Sequence, residues 1–198
     1  MSVHITELQT SGTDIEGLLI CTLKQVSDER GTVREFYRAS AYAGGLGGAV
    51  ELPAWQQINV TESRYGAIRG MHGESMIKLV SCVAGHAYGA YLDVRPDSAS
   101  YGAVVTVELA PGTQVLVPAG VCNGFQSVSE QGTQYLYCFT KEWRPGMVGI
   151  AYTPLDEALE FHWPVPIDPA DPSQISAKDA GAPRFSELAG APDPDRIG

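Results

Sequence analysis

The sequence predicts an all-β chain, an antiparallel sandwich or barrel of jelly-roll type, with few short helices. Three observations predict it. Runs of strand-forming residues follow one another from about residue 15 to 153, at the roughly 8–12-residue spacing of sandwiches and barrels. Glycine and proline punctuate them, with 22 and 13 copies in the chain. Stretches with helical periodicity are nearly absent.

The elements follow in order. Residues 17–23 (GLLICTL) form a short apolar run, and 32–37 (TVREFY) alternates and is rich in strand formers. Residues 77–83 (IKLVSCV) and 87–94 (AYGAYLDV) flank Ala84, Gly85 and His86, which together predict a hairpin turn. Residues 104–109 (VVTVEL) and 114–117 (QVLV) flank a second turn containing Pro111 and Gly112. The last strand, 134–140 (QYLYCFT), is aromatic and alternating. Single helical turns are expected near 40–44 and 156–159. From Pro164 onward, proline and aspartate dominate and predict an extended tail. The expected organisation is one domain over 1–198, with 165–198 as that tail.

Bulk composition narrows the function classes. The 198 residues are 44% hydrophobic and 18% charged, enough for an ordinary globular core. A formal net charge of −10, with 13 Lys and Arg forming no run, argues against nucleic acid as a partner. No stretch approaches the roughly 20 apolar residues of a membrane span. The N-terminus lacks the basic start and apolar core of a signal peptide, so a cytoplasmic location is expected. Cys21, Cys82, Cys122 and Cys138 show no CxxC spacing and are expected to be reduced, buried thiols.

Three stretches carry candidate chemistry. Residues 59–78 gather Arg69, His72, Glu74 and Lys78 beside Gly70. A neutral imidazole there could take a proton while cations hold the charge that develops. Such a His next to an Arg could equally be a surface loop residue. Tyr135 and Tyr137 share one strand face by alternation, with Leu136 on the other. A hydroxyl inside a barrel can serve as a general acid, although core packing alone would also account for either ring. Asp28, Glu29, Arg30 and Gly31, followed by Glu35, would by themselves be a charged turn. The histidines His4, His72, His86 and His162 show no HxH spacing, so no metal is expected, and proton transfer of this kind requires no other cofactor.

Taken in order, these motifs resemble the dTDP-4-dehydrorhamnose 3,5-epimerase family, a cupin-type enzyme group of deoxysugar biosynthesis. The matching segments are DERGTVRE at 28–35, QIN at 57–59, GAIRGMH at 66–72, KLV at 78–80, DVR at 93–95 with Ser98 and Gly102, VPAGVCNGF at 117–125, YLY at 135–137, Asp156 through Trp163 and Pro164, and SAKD at 176–179. The resemblance spans about residues 15–185. It implies a cupin barrel and a substrate that is a dTDP-linked 4-keto-6-deoxyhexose, inverted at C3 and C5. It also implies that His72 is the base, Asp179 its carboxylate partner, Tyr137 the acid on the opposite face, and Lys78 and Arg69 the cations near the ketone oxygen and the diphosphate. Arg30, Glu35, Gln57 and Asn59 match nucleotide-holding positions, and Asn123, Trp143 and Lys178 join the implied substrate contacts. The strand 30–35 would cross to a second copy in a homodimer with shared sites. Three departures stand out: Asn123 where many members have a second His, a short GESMI link between His72 and Lys78, and Trp143 where a tyrosine is common. A relative that inverts one centre only, a nucleotide-sugar-binding cupin without activity, and a ketoisomerase are the alternatives.

Overall fold

The protein is described by a computed structural model covering residues 3–45 and 54–189. Among these, short strands β1 (His4–Thr6), β2 (Gln9–Gly12), β3 (Leu19–Thr22), β4 (Gln25–Asp28) and β5 (Gly31–Arg34) precede helix α1 (Ala39–Gly45). The main body follows as β6 (Gln57–Ser63), β7 (Ile68–Glu74), β8 (Lys78–Ala84), β9 (Ala87–Asp93), β10 (Val104–Leu109), β11 (Thr113–Val117), β12 (Val121–Ser127), β13 (Thr133–Phe139) and β14 (Gly149–Ala151). A 3-10 turn (Glu157–Leu159) and two short helices, α2 (Ala177–Ala180) and α3 (Phe185–Ala189), complete it. Two antiparallel sheets face each other: a five-stranded one in the order β10-β9-β12-β7-β14 and a six-stranded one in the order β2-β3-β11-β8-β13-β6. A separate three-stranded sheet, β1-β4-β5, carries the chain's N-terminal part. The expected all-β, cupin-type fold is the one observed.

The expected hairpin at Ala84, Gly85 and His86 is not one. β8 belongs to the six-stranded sheet and β9 to the five-stranded sheet, so this turn is a corner between layers. Residues 110–113 make the same passage from β10 to β11. Gly85 has φ +73° and fits so closely that an added Cβ would lie 2.4 Å from the Gly132 carbonyl oxygen. Glycine is therefore set there by a corner, not by a two-residue hairpin loop. The helical turn at 40–44 lies within α1, and the turn expected at 156–159 is the 3-10 segment.

Between the two sheets lies the main core, where Val80, Tyr91, Leu109, Val115, Val121, Phe125 and Tyr135 are buried. Phe125 and Tyr135 stack across it at 3.9 Å with rings 7° apart, an aromatic pair worth about 0.5–1.5 kcal/mol beyond area burial. The outer face of the six-stranded sheet is covered by Tyr42 of α1 with Tyr37 and Trp55. The outer face of the five-stranded sheet is covered by the tail, through Leu159, Phe161 and Phe185 against Met71, Leu92 and Cys122. The tail is pinned by polar contacts as well. Ile68 N–H donates to the Gln174 carbonyl at 2.7 Å, Gln126 Nε2 donates to the Val165 carbonyl at 2.8 Å, and Thr153 N–H donates to the Pro183 carbonyl at 3.0 Å. Its two short helices were not signalled by its proline-rich composition. Residues 190–198 of the expected tail fall outside the described residues. All four cysteines are free and buried, as expected. Among the described residues no helix is long and apolar enough to cross a membrane.

The DVR motif ends β9 in a buried ion pair. Asp93, with no exposed side-chain surface, accepts from Arg95 Nε at 2.8 Å and Nη2 at 2.7 Å, and from the Ser98 and Ser100 hydroxyls, both at 2.6 Å. Burial works to raise the Asp93 pKa, but hydrogen bonds from Arg95, Ser100 and Ser98 outweigh it and hold the carboxyl well below the usual range. Asp93→Asn is therefore expected to cost about 1–3 kcal/mol, because Arg95, Ser98 and Ser100 lose a charged acceptor while the partly exposed guanidinium keeps the Glu16 carbonyl. A carboxylate with a depressed folded-state pKa contributes its stability above the unfolded value near ~4 and loses it as pH falls through the depressed one. Urea melts should show the full wild-type advantage at pH 7 and a shrinking one on acidification below about pH 4. An advantage independent of pH would contradict this.

Candidate active site

The inward face of the six-stranded sheet forms one wall. Residues paired across an antiparallel ladder share a face. Tyr137 pairs with Asn59 on one side and Val80 on the other, while Phe139 pairs with Gln57 and with Lys78. Gln57, Asn59, Thr61, Tyr135, Tyr137 and Lys78 are thereby brought to one surface. The other wall comes from the five-stranded sheet, where Asn123 pairs with both His72 and Tyr91.

β7 is irregular where it matters. Its register with β12 runs Asn123 to His72 and then Phe125 to Arg69, so one extra residue is accommodated between them. In a regular strand Arg69 and His72, three apart, would point to opposite faces. The bulge reverses that parity and sets both on the same side. Gly70, at φ +122°, makes it possible: a Cβ there would lie 2.4 Å from Gly124 Cα and 2.9 Å from the Asn123 carbonyl oxygen. The sequence left a surface loop open for His72, whereas the structure places it in a strand, held by pairing to Ala151 as well.

His72 and Asp179 meet across 107 residues of chain, with Nε2 2.8 Å from Oδ1. Asp179 sits in α2, whose first turn is capped by the Ser176 hydroxyl accepting from Asp179 N–H at 3.1 Å. That cap is the physical role of serine in SAKD. Burial works to raise the Asp179 pKa, but the His72 side chain, the Gly70 N–H and Ser176 prevail and hold it below the ordinary carboxylate value. Asp179 is therefore ionised at neutral pH. It accepts from Nε2–H, which leaves Nδ1 as the basic nitrogen.

Lys78 starts β8 from the opposite sheet and is almost wholly buried, yet it reaches β7. Its ammonium donates to the His72 carbonyl at 3.1 Å and to Glu74 Oε2 at 2.5 Å. The two tyrosines differ sharply. Tyr135 is 2% exposed, and burial raises its phenol well above the ordinary value, as it does for Tyr91. Both hydroxyls are buried, and among the described residues neither makes a hydrogen bond of good geometry. Tyr137 is partly exposed and shares a 3.1 Å hydrogen bond with Thr61. Only Tyr137 is open to a ligand.

Around this centre, Gln57 Nε2 donates to Asn59 Oδ1 at 3.2 Å, and Trp143 N–H donates to Gln57 Oε1 at 2.7 Å. The half-exposed Trp143 ring is thus tethered near the edge strand β6. Arg69 Nε donates to Ser63 Oγ at 3.0 Å. Lys178 is exposed beside Asp179. Arg30 and Glu35 are not brought to the site of their own chain. Arg30, 89% exposed, pairs with Asp28, and Glu35 pairs with Arg38. Glu74 and Thr61 are partners that the sequence reading did not single out as site residues. Glu74 stood in the flagged cluster, and Thr61 was two residues from Asn59, on the same face. A cleft of about 600 Å³ under the tail, lined by Pro154, Phe161, Trp163 and Arg184, contains none of these groups. Among the described residues no three His, Cys, Asp or Glu side chains gather to hold a metal.

Comparison with known proteins gives the family. A family model described as dTDP-4-dehydrorhamnose 3,5-epimerase matches residues 12–187. The dTDP-4-dehydrorhamnose 3,5-epimerase of Salmonella typhimurium is 33% identical over 88% of this chain and 94% of its own. The structure of dTDP-6-deoxy-D-glucose-3,5-epimerase from Legionella pneumophila, in complex with dTDP-4-keto-L-rhamnose, superposes with a TM-score of 0.80 at 30% identity, over 91% of this chain and 94% of that one. The dTDP-4-dehydro-6-deoxyglucose 3-epimerase of Streptomyces bikiniensis is 29% identical, over 81% of this chain and 80% of its own.

Proposed function

We propose that this chain, which belongs to the dTDP-4-dehydrorhamnose 3,5-epimerase family, inverts C3 and C5 of dTDP-4-dehydro-6-deoxy-D-glucose to give dTDP-4-dehydro-L-rhamnose. The observation that carries this reading is the opposition of two proton-transfer groups. The His72–Asp179 pair stands on one sheet and Tyr137 on the other, with Lys78 linking the two walls.

The chemistry follows from the groups. The C4 ketone acidifies the protons on C3 and C5. His72 Nδ1 removes one of them, and Asp179 stabilises the imidazolium that forms. The electron pair moves onto the C4 oxygen as an enolate. The Lys78 ammonium, in a site with little water, opposes that charge, an effect of the size removed with one oxyanion donor, about 3–4 kcal/mol. Tyr137 returns a proton to the opposite face and the centre is inverted. His72 is left protonated and Tyr137 deprotonated, so both exchange with solvent before the next inversion. Gln57, Asn59, Asn123, Arg69, Trp143 and Lys178 would hold the nucleotide-sugar around this axis.

Arg30 and Glu35 fit the reading as groups lent to a second copy. β5 is exposed at every residue, Val33 is 75% exposed, and the edge strand β6 turns Ile58 and Val60 to solvent at 59% and 57%. Two chains that exchanged β5 across β6 would cover these apolar faces and complete both sites, which makes a homodimer the assembly proposed here.

Similarity to a 3-epimerase keeps single inversion as the second reading. Incubation with substrate in D2O separates the two. Deuterium at both C3 and C5 of the product is expected, since each centre receives its proton from a solvent-exchanged group. Deuterium at C3 alone, with C5 unlabelled, would assign the chain to single inversion.

A further inference from the structure

Lys78 poses an energetic problem that Glu74 answers. Its side chain is 4% exposed, and an ammonium so buried must find acceptors or give up its charge. It finds two, Glu74 Oε2 at 2.5 Å and the His72 carbonyl at 3.1 Å. An ammonium has three N–H donors, so these contacts leave one uncommitted among the described residues. Both acceptors belong to β7, the strand that carries the base.

Glu74 is itself firmly placed. It ends β7, pairs with Gly149 of β14, and its carbonyl accepts from Gly120 N–H at 3.0 Å. It is two residues from His72, beyond the bulge and therefore on the same face. Its carboxylate is 16% exposed and the Lys78 side chain 4%, so little solvent reaches the pair. The ion pair sits in surroundings that weaken attraction little.

We infer that Glu74 is a positioning residue for the reaction: it holds the Lys78 ammonium at a fixed place relative to His72, so that the one remaining N–H serves the oxygen that becomes an enolate. The inference rests on the proton-transfer reading above and adds to it a residue acting through Lys78. Because the pair is neutral overall, it adds little to capture of an anionic ground state. Its effect falls on the step in which charge develops, hence on kcat and not on KM.

The test measures kcat, KM and deuterium uptake from D2O for the wild type, Glu74→Gln, Lys78→Met and the double variant. Glu74→Gln should lower kcat about 10- to 100-fold with KM within about twofold, the size usual for a group that orients another. On the Lys78→Met background the same change should do nothing beyond about twofold, because the group it orients is gone. Should Glu74→Gln fail to melt like the wild type, Glu74→Asp, which keeps the charge and draws it back by one methylene, is measured instead and should also lose kcat. An unchanged kcat, a loss confined to KM, or an equal loss with and without Lys78 overturns the inference. Absence of deuterium uptake in the wild type would instead overturn the underlying reading of His72.

Discussion

His72→Ala should lose turnover by about 10⁴-fold, the upper end of what one general base contributes, because proton removal at both C3 and C5 begins at the same nitrogen. Deuterium uptake into recovered substrate should vanish with it. The fold should survive. The His72 side chain is 38% exposed, and the Asp179 carboxylate it leaves behind keeps the Gly70 N–H and the Ser176 hydroxyl. A melting temperature within a few degrees of the wild type is expected. A folded variant that retains turnover would remove the base from this account.

Tyr137→Phe should separate two halves of the reaction. His72 still removes a proton and can return a deuteron from the same face. Substrate incubated in D2O should therefore acquire deuterium with its configuration unchanged, while inverted product falls about 10²- to 10⁴-fold. The ring contacts with Tyr135 and Phe139 remain, and only the hydroxyl contact to a partly buried Thr61 is lost, so the fold is little affected. Product formed at the wild-type rate would mean that the acid lies elsewhere. Loss of exchange together with inversion would place Tyr137 in proton removal and not in proton return.

These two residues were unequally legible in the sequence. The QYLYCFT alternation gives β13 directly, with Tyr135 and Tyr137 inward and Leu136 on the outer cluster. Residues 59–78 resisted the same reasoning because the wall of a binding cavity inverts the usual pattern. On β6 the polar Gln57, Asn59 and Thr61 turn inward while Ile58 and Val60 are exposed. A rule that puts apolar residues inside therefore misses the strand, or faces it the wrong way. The bulge in β7 hid the kinship of Arg69 and His72 for a related reason, since spacing reports the face only where the ladder is regular. At Ala84, Gly85 and His86 the local residues specify a turn and say nothing of which sheet each arm joins. The approach of Asp179 to His72 depends on the tail packing over Met71, Leu92 and Cys122, a contact without any short-range sign. Family resemblance, not periodicity, pointed to that pair. Glu74 was visible as part of a charged cluster, but its role required the 2.5 Å contact with Lys78.

The central claim is that an imidazole and a phenol flank one sugar ring. A crystal structure with a dTDP-linked 4-keto-6-deoxyhexose tests it most directly. The account predicts His72 against one face of the hexose, Tyr137 against the other, Lys78 at the C4 oxygen, and Arg30 arriving from a second chain. A ligand with both residues on the same face, or bound in the cleft beneath the tail, would contradict it.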